Sequence, residues 1–254
     1  MSLFISPRLK LERAYQHVKE IEKLTIPLSK ELYEIKIESE FSFPKPYAVG
    51  MNLVYIPLKP ISETLGLVIG DAINNFRSSL DHLASGLIKA QAPNNRPYFP
   101  MAETRDELMD NRFLKQLEKS LPGSFDLLIN KLRPASHCND IYWKFHLLDN
   151  DSKHNIILPT ISNVNVENIN VQCGGARLTN CRVGGDATKR MIIIHSSGAE
   201  IIIHNDFEVY VDLRFPLHSK FSTLDVISTL KNIGLTVRET IDQFEKLYVK
   251  NKHN

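Results

Sequence analysis

The sequence predicts an α+β fold, and three observations carry that reading. Between about residues 61 and 90, Ile69, Ile73, Phe76, Leu80, Leu83 and Leu87 recur at alternating steps of four and three. At about 100° per residue such steps keep all six on one narrow helical stripe. Residues 155–215 then change character, being rich in Ile, Val and Asn, with turn signals at "CGGA" and "VGGD" and apolar runs "MIIIH" and "IIIH". That is the pattern of a small antiparallel sheet of about three to five strands. The last segment, 222–248, returns to helical spacing. The expected architecture is a helical core with an N-terminal β-hairpin, and an antiparallel sheet between the core helices and a long C-terminal helix. It is read as a single domain over 1–254, mainly helical over 1–154.

The elements follow in order. A first helix is expected after Pro7, which suits an early helical position. Its stripe is Leu11, Ala14, Val18 and Ile21. "ELYEIKIESEF" alternates as a half-buried strand, and "YAVGMNLVYIPL" follows a Pro-containing turn as its antiparallel partner, giving a hairpin over 31–58. Pro57 and Pro60 end it. After the long helix, "APNNRPYFP" breaks the pattern. Shorter helices are expected near 104–120 and 124–133, separated by Pro122-Gly123 and stopped by Pro134. "NDIYWKFHLLDNDSKH" reads as a helix anchored by Ile141, Phe145 and Leu148. Ser222 with Asp225 resembles a capping box ahead of the last helix. That helix would bury Leu230, Ile233, Val237, Ile241 and Phe244.

Composition bounds the function. At 254 residues, 43% hydrophobic and 24% charged, the chain can bury a sizeable core without staples. A formal net charge of +2 gives no strong field for nucleic acid or membrane. Cys138, Cys173 and Cys181 are an odd set in a chain too large to need disulfides, which favours a reducing, cytoplasmic setting. Cys173 and Cys181 flank a Gly-Gly turn and are expected in strands. The N-terminus becomes charged by residue 8, so no signal peptide is expected. No stretch approaches the roughly 18 apolar residues of a membrane helix. G-x-x-x-x-G-K-[ST], G-x-G-x-x-G and G-x-S-x-G are absent, which argues against P-loop, Rossmann and α/β-hydrolase chemistry.

Two polar stretches remain. In "GDAINNFRSSLDHLA", Arg77 lies about 80° from the centre of the apolar stripe, Asp81 about 120° and Asn74 about 140°. The three share one flank, where polar groups between helices usually have partners. A simple i,i+4 Arg77–Asp81 pair is the structural alternative. His82 lies about 140° around the wheel from Arg77. In "HLLDNDSKHN", Tyr142, His146, Asp149 and Lys153 share one side of a helix, and Asp149–Lys153 is a favourable i,i+4 pair. This stretch is either the polar end of a helix, with Lys153 and His154 set against its dipole, or a second wall. As a wall it would bring Asp149, Lys153 and His154 to face Asn74, Arg77 and Asp81. His146, Asp149 and His154 lack the spacing of a metal site, and no metal or other cofactor is expected.

Arg77 and His82 also form R-x4-H on a core helix, which resembles the signature of the HEPN family of helical nucleases and nucleotide-acting proteins. The resemblance implies a helical bundle and a composite site, often completed across a homodimer. It implies metal-independent cleavage of RNA through attack by the ribose 2′-hydroxyl. Arg77 would then steady the phosphate, and His82 would act as general acid or base. Asn74, Asp81, Asp149, Lys153 and His154 would support them. The wider phrase "NFRSSLDHLA … YFP … LLDNDSKH" is similar to a pattern in uncharacterised bacterial proteins and implies no activity. The alternative is a non-enzymatic protein that binds a small anionic ligand or nucleotide with the same cluster, or a structural homodimer.

Overall fold

The structure, a computed structural model, describes residues 3–41, 48–59, 61–88, 97–135, 140–154 and 160–252. The Pro-containing turn at 42–47, Pro60, the break at 89–96 and Cys138 lie outside the described residues. The fold is mixed α+β with antiparallel sheets and a long C-terminal helix. Among the described residues, no helix is long and apolar enough to cross a membrane.

The chain divides into two compact units, each assembled from separated segments. Met1–Lys19, Gly66–Ile157 and Phe215–Asn254 form one, and Glu20–Leu65 with Leu158–Arg214 forms the other. The hairpin, placed by sequence in a mainly helical subregion, therefore shares a unit with the β-rich section. The boundaries fall inside two helices, α1 (Ile5–Thr25) and α2 (Ile61–Ile88).

In the helical unit, α2 is the central element. Its six stripe residues are all buried. The stripe of α7 (Val226–Lys252), from Leu230 to Phe244, is buried as expected. Its start differs from the sequence reading. Asp225, not Ser222, caps the helix, its carboxylate accepting from Ser228 N–H at 2.7 Å. The Asp side chain sits three residues before that donor, as N-cap geometry requires. The helix expected over 104–120 is two, α3 (Arg105–Asp110) and α4 (Arg112–Ser120). Asn111 breaks them apart because its own N–H closes α3 on Leu108 O while its side chain caps Phe113 and Leu114 N–H. A short α5 (Ser124–Asp126) runs into a π-helical turn, Leu127–Leu132, that ends at left-handed Arg133. Helix α6 (Asp140–His154) buries Tyr142, Phe145, Leu148 and Asp149, whereas Ile141 is only half-buried.

The other unit contains the hairpin β1 (Tyr33–Phe41) and β2 (Ala48–Pro57), followed by β3 (Thr160–Cys173), β4 (Ala176–Asp186), β5 (Met191–Ser196), β6 (Ile201–Ile203) and β7 (Glu208–Arg214). All pairings are antiparallel. β5 leaves the later strands and joins the hairpin in a three-stranded sheet of order β1-β2-β5. β3 is the hub of the second sheet, with β4 on one side and β6 and β7 on the other. Val164 and Val166 point inward, and so do Ile169 and Val171, one residue out of phase with strict alternation. Of the two register shifts against β4, the one between Val166 and Ile169 adds a residue on β3, where Asn168 has φ 58°. A bulge there resets the alternation, so no asparagine side chain turns into the core.

Two helical glycines separate packing from backbone entropy. A Cβ at Gly70 would meet nothing within 4 Å, whereas one at Gly234 would lie 2.7 Å from the Tyr15 ring and 2.9 Å from Phe76. Gly70→Ala is expected to stabilise by about 0.5–1 kcal/mol. Gly234→Ala is expected to destabilise, despite the same gain in helix propensity. Urea denaturation of the two variants checks the opposite signs.

Candidate functional site

Arg77 projects from the edge of the α2 stripe and is only 5% exposed. A guanidinium in such a place needs its donors matched. Nε donates to Asp81 Oδ2 at 3.2 Å and Nη2 lies 3.0 Å from Asp81 Oδ1, a forked pair one turn apart. Nη2 also donates to Phe99 O at 3.1 Å, and Nη1 approaches Met101 Sδ at 2.9 Å. Asp81 Oδ1 accepts from Phe99 N–H at 2.8 Å. The ion pair thus satisfies both backbone groups of Phe99, whose ring lies 6.5 Å from Tyr142, stacked, and 6.3 Å from Phe244, edge-on. Tyr142 in turn shares a 2.7 Å hydrogen bond with Thr240 of α7, and burial pushes its phenol up to about 12.

A second pair sits on α6. The Asp149 side chain is wholly buried and binds Lys153 Nζ through Oδ2 at 2.6 Å, while the Lys153 side chain is 43% exposed. Oδ1 of Asp149 has no hydrogen-bond partner among the described residues, and neither does the buried Nδ1 of His146. The two pairs feel each other. Burial raises the Asp81 pKa above its ordinary value; Arg77 opposes that shift and the charge of Asp149 adds to it. Burial lowers His146, and the positive charges of Arg77 and Lys153 lower it further against Asp149.

The predicted residues separate accordingly. Arg77, Asp81, Asp149 and Lys153 form one electrostatic cluster, joined by His146. Asn74 is exposed and accepts from Ser78 Oγ at 3.2 Å. His154 is exposed at the last position of α6. His82 is exposed and hydrogen-bonds Ser6 Oγ at 2.6 Å, its partner being on α1 rather than beside Arg77. Sequence reasoning missed Phe99 and Met101 as partners of Arg77, and the only available signal was that "YFPM" is apolar where a surface loop is expected. It also gave no role to Trp143, whose ring centroid lies 5.4 Å from that of His146. Cys173 and Cys181 are free and sit in β3 and β4.

No protein-family model, curated protein or solved structure matches the chain.

Removing one partner of a buried ion pair strands the other. Arg77→Ala should therefore cost about 3–5 kcal/mol in urea denaturation, and His82→Ala no more than about 0.5 kcal/mol. The pH dependence has a definite sign. A histidine whose folded pKa is depressed leaves the unfolded chain binding more protons on acidification, so stability present above about 6.5 is lost as pH falls through the depressed value. Burial depresses both His82 and His146. The Tm drop between pH 7.5 and 5.5 should shrink in His146→Gln.

Proposed function

We propose that the protein is a non-enzymatic binding module that holds a small ligand against α6, with Arg77 and Asp81 as scaffold rather than catalytic apparatus. One observation carries the reading. Asp149 is wholly buried, yet one carboxylate oxygen and the neighbouring His146 Nδ1 lack partners among the described residues. Each such vacancy costs roughly 1–3 kcal/mol; both atoms are closed off from solvent, so a ligand recovers that cost where its binding opens a path to them.

The ribonuclease implied by the HEPN resemblance asks Arg77 to hold a phosphate and His82 to move a proton in one site. Arg77 already spends its donors on Asp81, Phe99 and Met101. His82 is turned to Ser6. A phosphate would have to displace Asp81 from Arg77, and the displaced carboxylate would remain beside a second one, Asp149.

The test sets the two readings against each other with a variant that keeps its fold. Single-stranded RNA incubated with the protein in EDTA should remain intact with wild type and with His82→Ala alike. A set of nucleosides, amides, amines and phosphate should contain at least one compound that raises the wild-type Tm and fails to raise that of Asp149→Asn. Cleavage by wild type that vanishes in His82→Ala would overturn the binding reading in favour of the ribonuclease.

A further inference from the structure

The three-stranded sheet ends on an open strand. Among the described residues β1 pairs with β2 and with no other strand, in the order β1-β2-β5. Its register against β2 is unbroken from Tyr33 to Glu40, with no bulge and no proline. Edge strands are normally spoiled by such features, because an open row of N–H and C=O groups is a template for another strand. Leu58 N–H donates to Leu32 O at 3.0 Å, which sets the phase of the ladder. In an antiparallel pair, bonded residues alternate with residues whose N–H and C=O point away. Leu32, Glu34, Lys36 and Glu38 therefore bond to β2, whereas Tyr33, Ile35 and Ile37 turn their backbone groups to the open side. Those groups have no partner among the described residues.

Side chains follow the same alternation. One face of β1 carries Glu34, Lys36 and Glu38, and the other carries Tyr33, Ile35 and Ile37. Ile37 is 40% exposed. Lys36 Nζ lies 3.5 Å from Glu34 and 3.4 Å from Glu38, with the Lys36 and Glu34 side chains nearly half exposed. Glu38 is held more closely by Arg190, at 2.8 Å.

We propose that β1 pairs antiparallel with β1 of a second copy, joining two three-stranded sheets edge to edge about a two-fold axis at Ile35. A two-fold perpendicular to a sheet keeps each face on its own side, so a residue stands only opposite one of its own face. The axis must then pass beside a single residue, and charge decides which. At Glu34, Lys36 or Glu38 it sets that charge against its own copy. At Tyr33 it brings Lys36 into register with Lys30, and at Ile37 it brings Glu34 into register with Glu40. At Ile35 it sets Lys36 opposite Glu34 twice, Ile37 opposite Tyr33 twice, and leaves Glu38 to Arg190. Lys36 and Glu34 then meet at non-hydrogen-bonded positions, where cross-strand side chains approach most closely. The open backbone groups of Tyr33, Ile35 and Ile37 form about six hydrogen bonds with those of the other copy.

Sedimentation velocity on the full chain over a concentration series tests the pairing. The mass should approach twice that of one chain as concentration rises. Lys36→Glu and Glu34→Lys should each weaken the dimer by at least about tenfold, since the two-fold repeats the lost pair. Both positions are exposed, and circular dichroism of the variants should stay that of wild type. The double variant Glu34→Lys/Lys36→Glu restores opposite charges in this register and should recover the wild-type dimer. A monomer at every concentration up to the solubility limit, a dimer that either single reversal leaves intact, or a loss that the double variant fails to restore overturns the inference. The pairing is separate from any ligand at α6, so its failure leaves the binding reading standing.

Discussion

The helical unit depends on one arrangement, the Arg77–Asp81 pair closed over the backbone of Phe99. A buried guanidinium and a mostly buried carboxylate are costly to desolvate and yield stability only when nearly every lone pair and proton is matched. Here the matching groups include Phe99 N–H and C=O, so the pair fixes a non-helical segment against α2. Phe99 then delivers its ring to Tyr142 of α6 and Phe244 of α7. Three helices are registered through one side chain, and that side chain is held by an ion pair on only one of them. The pair and the Phe99 backbone form one connected polar network, and such a network is worse than an apolar core when half of it is removed.

The α6 pair, by contrast, is left incomplete. Asp149 faces the field of a second carboxylate, and Lys153 satisfies only one of its oxygens. A core evolved for stability alone would fill that position with an apolar side chain or supply another donor. The neighbouring imidazole is also held neutral by burial and by the two cations. The result is a pair of buried hydrogen-bonding atoms with little net charge around them, in a unit whose other buried polar side-chain atoms, among the described residues, have partners.

Much of the fold was legible in the sequence because it rests on periodicity. The stripes of α1, α2 and α7 appear at the predicted positions, since a four-three spacing leaves few alternatives to a helix with one buried face. The flank position of Arg77 and Asp81 was also legible, as was the Asp149–Lys153 pair. What could not be read depends on contacts distant in sequence. Nothing local assigns Phe99 to Arg77, moves β5 to the hairpin, or directs His82 to Ser6. Asn111 and Asp225 show a middle case, in which the capping residue types were present but choosing among adjacent candidates required the backbone path. The R-x4-H spacing was visible too, yet the two side chains are about 140° apart on a straight helix, and their partners differ accordingly.

The bulge at Asn168 also bears on how this chain can diverge. β3 pairs with three strands, and the inward set changes phase at that single residue. Side chains along the strand can drift one at a time, each at a local cost. The count of residues between Val166 and Ile169 cannot, because losing one would turn every later core side chain of β3 outward together. Length at that point is thus more constrained than composition, and relatives whose residues have drifted past recognition would still share the odd step in their alternation.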